Sequence, residues 1–310
     1  MSLPHALLYA LAVGWVAAIT GCDQQFPAGP VGPVVPAAPV AEKNEAQRPA
    51  LKVGCQVTGR IVSKEWRALA GGIERAIVTA TTLPDQRQVA EIYGEGGQFE
   101  LYLPPGKYRI DFSANGTRGA TFQFRNREIE IAKDQGRLDL GDVDLPISKT
   151  TGLYGRSAPE LTGIIGWQNT PPISIKDLRG KVIVLDFFAD YCTMCHAHKP
   201  DLEKLRQQYG PDRLVVLAIH DSSIKSMKEM TARMEPILRH VFHDDPPNIP
   251  TALDGAGENS VFDAYGVQAV PAVILIDQRG RVFRRYQHAG KPELEADVRG
   301  LLQTSFKGYQ

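Results

Sequence analysis

The chain has no charge excess of either sign: 35 lysines and arginines stand against 35 aspartates and glutamates over 310 residues. Without clustered basic runs it offers no electrostatic footprint for a phosphate backbone, which excludes nucleic acid as a partner class. Cysteine is scarce as well, with four residues, Cys22, Cys55, Cys192 and Cys195. A small exported fold stapled by disulfides carries widely spaced even pairs. Here the one close pair is separated by two residues, so staples are not what these cysteines supply. The chain also lacks an apolar run of the about 20 residues that a spanning helix needs. Its uncharged apolar run, Ala6 to Ile19 (ALLYALAVGWVAAI), is followed by Thr20-Gly21-Cys22-Asp23.

What is present begins with that run, which has the pattern of an export signal. Ile19-Thr20-Gly21-Cys22 resembles a bacterial lipobox, which implies that Cys22 is lipidated and becomes the mature N-terminus. An uncleaved anchor or an ordinary secretory signal are the alternatives, and all three place the remaining chain outside the cytoplasm, lipid-anchored on the periplasmic or cell-surface side in the first case. Residues 1–22 are thus expected as a lipoprotein-type signal. Residues 23–50 follow with six prolines (Pro27, Pro30, Pro33, Pro36, Pro39 and Pro49) among Ala, Gly and Val. That composition builds no packed core and favours extended polyproline geometry, so the segment reads as a tether to the membrane.

Residues 51–148 show short alternating runs broken by turn residues: VGCQVTGRIV, RAIVTATT, GQFELYL, KYRIDFSANG and TFQFRNREIEI. A period of two with Gly, Pro and Asn punctuation points to an antiparallel β-sandwich, a separate all-β domain. The segment Gly97 to Tyr108 (GQFELYLPPGKY) resembles that of carboxypeptidase regulatory-like domains of the transthyretin type. No acid, base, nucleophile or metal cluster appears in this stretch, so it reads as a spacer or docking module. Cys55 is expected as a small buried hydrophobe in the first strand.

From residue 152 to 310 apolar strands alternate with amphipathic helices, the pattern of an α/β fold. Strands are expected over Lys181–Phe188, Arg213–His220, Ala272–Asp277 and Val282–Tyr286. Helices are expected over Cys192–Tyr209, closed by Gly210, over Ile224–Phe242 with a break near Pro236, and over Pro292–Leu302.

The run Tyr191 to His196 (YCTMCH) reads both as a redox dithiol, C-x-x-C, and as a haem attachment site, C-x-x-C-H. Its surroundings favour the dithiol. The cysteines follow a hydrophobic strand and open a helix, where exposed N–H groups lower the pKa of Cys192 and make it the attacking nucleophile. Cys195, one turn further, is placed to resolve the mixed disulfide. Asp186 lies in an otherwise apolar strand, where desolvation is expected to raise its pKa toward neutrality and suit it to shuttle a proton for Cys195. Pro200 falls within the expected helix, where it would produce a kink. A metal site of Cys192, Cys195, His196 and His198 is disfavoured because helix spacing sends His196 to a different face, so no metal is assigned.

With the later Ala264-Tyr-Gly-Val-Gln-Ala-Val-Pro271 ahead of AVILID, the pattern resembles the thioredoxin fold. "LRGKVIVLDFFADYC" and "YGVQAVPAVILIDQRGRV" are similar to exported thiol-disulfide oxidoreductases of the TlpA/ResA type. The resemblance implies an enzyme without a cofactor other than its redox-active disulfide. It maps Pro271 onto the family's cis-proline facing the dithiol, and Val270 onto the residue whose backbone pairs with a substrate strand. Tyr191 stands where the family has Trp and joins the substrate-binding set. His198 stands where such sequences often carry Glu and is expected to pack against the sheet, while strand LVVLAIH lacks the lysine that partners the buried Asp in thioredoxins proper. The implied partners are thiols and disulfides of exported proteins and an upstream membrane electron donor or acceptor. Two other readings are a peroxidase of the peroxiredoxin group, which places Thr or Ser where this chain has Ala189, and a non-enzymatic surface-docking lipoprotein.

Overall fold

The computed structural model describes residues 53–69 and 71–304. The signal, the proline-rich tether and Cys22 lie outside the described residues. The first described region contains eight strands: β1 (Cys55–Val62), β2 (Ile73–Thr82), β3 (Gln88–Glu95), β4 (Gln98–Leu103), β5 (Gly106–Gly116), β6 (Ala120–Thr121), β7 (Arg125–Ile131) and β8 (Arg137–Asp144). The short helix α1 (Lys64–Ala68) interrupts them, its Ser63 side chain accepting from Trp66 N as the N-cap. One sheet has the order β4-β1-β8; in the other, β3-β2-β5 is flanked on its far side by β6 and β7, both paired to β5.

Alternation explains the two layers. Val57, Phe99, Leu101 and Val143 from the first sheet and Val78, Ile110 and Phe112 from the second share one apolar core, with Cys55 in it at 1% exposure. The expectation of purely antiparallel pairing fails at one place, because β1 and β8 run parallel, Gln56 opposite Arg137. The expected run TFQFRNREIEI is also split, since Phe122 to Phe124 leave the ladder between β6 and β7.

A short helix α2 (Lys149–Gly152), N-capped by Ser148, leads into the second region. There β9 (Ile164–Gln168), β10 (Val182–Phe188), β11 (Leu214–His220), β12 (Thr251–Asp254), β13 (Ala272–Ile276) and β14 (Val282–Tyr286) form one sheet in the order β14-β13-β10-β11-β12-β9. Strand β10 pairs parallel with β11 and antiparallel with β13, so it is central and every residue in it is buried. An apolar run without alternation is what a strand covered on both faces requires. The covering helices are α3 (Thr193–Ala197), α4 (Lys199–Tyr209), α5 (Met227–Val241), α6 (Val261–Tyr265) and α7 (Pro292–Gln303).

Two helix expectations change. The single helix over Cys192–Tyr209 is two, with a join at His198, whose φ of −95° and ψ of −2° depart from helical values. Pro200 then occupies the first turn of α4, where its missing N–H costs nothing, in place of kinking a continuous helix. Conversely, α5 begins at Met227 and runs through Pro236 without a break. Pro236 and Ala232, four residues earlier, are exposed, so the carbonyl that the proline leaves without a donor is on the solvent face of the helix.

The β-rich region and the α/β region touch each other within one compact unit. The Tyr154 hydroxyl donates to Gly119 O at 3.0 Å and accepts from Arg285 N at 2.9 Å, bridging the β-rich region to β14. Gly119 has a φ of +68°, and a Cβ there would lie 2.1 Å from Arg285 O. Only glycine meets both demands. Among the described residues no helix is long and apolar enough to cross a membrane.

Candidate active site

Strand β10 ends at Phe188 on the central axis of the sheet, and the loop that follows delivers Tyr191 and the cysteines. Cys192 and Cys195 are joined by a disulfide with Cα atoms 5.3 Å apart. Their environments differ. Cys195 is fully buried beside Phe188, Ala218, Ile224 and Leu253, whereas Cys192 is half-buried at the edge of that cluster. Cys192 is the N-cap of α3, and the Cys195 backbone N–H donates to its Sγ at 3.2 Å. The same bond would favour a thiolate at Cys192 once the bridge is opened, because it stabilises the charged form.

Around the accessible sulfur the surface is apolar: Tyr191 is 68% exposed and Met194 54%. Val270 precedes a cis peptide bond to Pro271. Val270 and Cys192 both pack against the apolar cluster that holds Cys195. The structure therefore brings together Cys192, Cys195, Tyr191 and Val270-Pro271, from two loops about 75 residues apart in sequence.

Asp186 is completely buried in β10, as the sequence indicates, but its surroundings are not apolar. His198 Nε2 donates to Oδ1 at 2.9 Å and Lys199 Nζ to Oδ2 at 3.3 Å. Burial alone would push this carboxyl up. The charge of Lys199 and the hydrogen bond from His198 outweigh it, and the pKa is lowered, opposite to the expected rise toward neutrality. The lysine absent from LVVLAIH is supplied from α4 instead, with its Nζ also 3.8 Å from the Phe188 ring centroid. His198 likewise does more than pack: the non-helical join between α3 and α4 turns it to the carboxylate, leaving its Nδ1 buried without a partner.

A second polar group, not anticipated from sequence, holds the loop before the dithiol. His196 Nε2 donates to Asp190 O at 2.7 Å, and burial lowers the His196 pKa. The Asp190 N–H donates to His220 Nε2 at 3.0 Å, while the Asp190 carboxylate receives Arg233 from α5 at 3.0 Å. The Tyr191 hydroxyl donates to Asp221 Oδ2 at 2.9 Å. Burial pushes the Asp221 carboxyl up, but hydrogen bonds from His220, Ser223 and Tyr191 prevail and hold it at about 2. His220 at the end of LVVLAIH was the available signal, being a polar residue closing an apolar strand beside the dithiol loop.

Residues 154–302 match the Redoxin family. The C-terminal region is thioredoxin-like and of the oxidoreductase type. The chain is 43% identical over 171 residues to "Protein DipZ" of Mycobacterium bovis, covering 50% of this chain and 22% of that protein. It is 29% identical over 112 residues to "Thiol-disulfide oxidoreductase ResA" of Halalkalibacterium halodurans, covering 36% of this chain and 57% of that one. The solved thiol-disulfide isomerase of Corynebacterium glutamicum is 23% identical, with a TM-score of 0.40, over 48% of this chain and 98% of that one. The aligned part of DipZ is thus less than a quarter of its length.

Proposed function

We propose that the protein exchanges disulfides with thiols of exported proteins through the Cys192–Cys195 pair. The observation that carries this reading is the asymmetry of the pair: half-buried Cys192, whose sulfur accepts a backbone N–H, is joined to fully buried Cys195 in an apolar cluster that Val270 also packs against. In the reducing direction the Cys192 thiolate attacks a client disulfide, forming a Cys192–client bond as the client S–S bond breaks and its departing thiolate takes up a proton. Cys195 then loses its proton and attacks the Cys192 sulfur. The second client thiolate leaves and is protonated, two electrons have moved to the client, and Cys192–Cys195 is bridged. The oxidising direction uses the same atoms in reverse. No cofactor beyond this disulfide is required, and a membrane electron donor or acceptor resets the pair.

Tyr191 and Val270 give the client an apolar seat, with Pro271 shaping the loop. Asp186 is assigned to proton transfer at the Cys195 step, acting from a carboxylate held ionised by Lys199 and His198. Lipidation at Cys22 and the proline-rich tether would hold the enzyme on the outer side of a membrane. The β-rich region, read as a carboxypeptidase regulatory-like sandwich, serves as a docking module. Cys192→Ser is expected to abolish exchange, and Cys195→Ser to accumulate mixed disulfides seen on non-reducing gels. Normal turnover in Cys192→Ser would end this proposal.

A further inference from the structure

A cleft of about 820 Å³ begins at Val270 and Pro271 and runs between β14 and the β-rich region, where Phe122 and Phe124 form its other side. Phe124 is 72% exposed, an unusual cost for an aromatic side chain unless something covers it. The cleft carries four basic side chains, Arg118, Arg284, Arg285 and Lys291, against the carboxylates of Glu74 and Glu293. Two of the four are occupied: Arg284 pairs with Asp297 at 3.1 Å, and Arg118 donates to Leu69 O and lies over Trp66. Arg285 and Lys291 make no ion pair among the described residues. Arg285 is half-buried, and loss of water around its guanidinium lowers its pKa, an effect that the nearby Tyr154 only partly offsets.

The walls are fixed relative to each other. Tyr154 links Gly119 O to Arg285 N, and the close approach of Gly119 to Arg285 O leaves no room for a side chain. Arg285 lies opposite Ile274 in the β13–β14 ladder, three residues along from Pro271. At the rise of an extended strand that is about 10 Å, or about three residues of a client chain.

Building on the thiol-disulfide reading above, we propose that this cleft is the client-recognition groove, and that it takes an extended polypeptide segment bearing a carboxylate about three residues from the reactive cysteine. The carboxylate meets Arg285 and Lys291, and a neighbouring apolar side chain covers Phe124. The β-rich region thereby supplies half of the specificity of the dithiol, in place of acting as a spacer alone. Charge complementarity and continuity with the Val270-Pro271 loop both favour this occupant.

The test uses the full chain, reduced and freed of reductant, in single-turnover reduction of two short peptides. Each carries one internal disulfide, and they differ only in Glu or Lys about three residues from a cysteine. The Glu peptide is expected to react about tenfold faster, the scale of one partly desolvated ion pair. Arg285→Gln should bring that ratio close to one. Lys291→Glu, at an exposed side chain that folding does not depend on, should lower it too. A wild-type ratio near one, or a ratio that both variants leave unchanged, overturns the groove. Reduction of the small neutral 2-hydroxyethyl disulfide by the wild-type chain separates the two levels. If that reaction occurs without peptide preference, the groove alone fails, and if it does not occur, the dithiol reading falls and the groove with it.

Discussion

The two regions of this protein bury different things. In the β-rich region the buried polar side chains before the connecting helix are hydroxyls, Ser63 and Thr81, and the single cysteine sits inert in the core. In the α/β region Asp186, His196, His198, Lys199 and His220 are buried on the elements that frame the dithiol, and Glu203, Asp254 and Asp277 are buried besides. Burying ionisable groups is costly unless each is paired. A fold that needed only stability would bury hydroxyls and apolar side chains, as the first region does. The Asp186–Lys199–His198 group and the hydrogen bonds of His196 and His220 around the dithiol have no counterpart among the described residues of the first region.

This contrast is sharpest at ion pairs. Lys199→Met removes the cation from a carboxylate with no access to water and is expected to destabilise the protein by about 3–5 kcal/mol in urea unfolding. Arg60→Met breaks the exposed Arg60–Asp142 pair of the β-rich region and should leave the same transition unmoved. Equal effects would erase the distinction.

Next in size is the junction between the regions. Gly119→Ala combines a left-handed backbone with a clash against Arg285 O and is expected to cost about 1–3 kcal/mol. Gly136→Ala, where a Cβ would meet nothing within 4 Å, is the matched control and should be near neutral. Calorimetric melting of both variants compares them.

A pH effect follows from Asp221. Its carboxyl is held at about 2 in the folded chain, below the unfolded value of about 3.9. The folded state therefore gains stability from it above about pH 4, and that gain is lost as pH falls toward 2. Asp221→Asn should lower the melting temperature at pH 7 and approach the wild-type value as the pH is taken toward 2; a gap that persists unchanged at low pH would contradict the assignment. The smallest effect belongs to Cys55→Ala, expected to lower stability by about 1 kcal/mol through a lost buried sulfur while leaving disulfide exchange intact.

Much of the α/β fold was legible because its central strands are apolar on both faces and its helices carry clear stops, such as Gly210 at a φ of +71°. Strands β9 and β12 were not: β12 is only four residues long, and β9, at the sheet edge, buries none of its residues fully. Strand β3 escaped for another reason: no side chain in QVAEIYGE is fully buried, and only Ala90 and Ile92 pack partly against the core, which makes a short and weak apolar period. The parallel pairing of β1 with β8 joins segments about 80 residues apart, and local patterning carries no trace of it. At the site, the dithiol, the buried Asp186 and the Val270-Pro271 pair were all visible as sequence. The sign of the Asp186 shift was not, because it depends on which face of β10 receives His198 and Lys199, and the break at His198 sets that. The hydrogen bonds joining Asp190, His196, His220 and Arg233 come from four separate elements and leave no spacing signature.

The most direct test is a thiol-trapping titration of the full chain across glutathione redox buffers, with the alkylated residues identified by mass spectrometry. A single two-electron transition confined to Cys192 and Cys195, with a midpoint between about −270 and −120 mV and Cys55 never labelled in the folded chain, is the predicted result. Failure of the two cysteines to change together, or a transition that labels Cys55 in their place, would contradict the account.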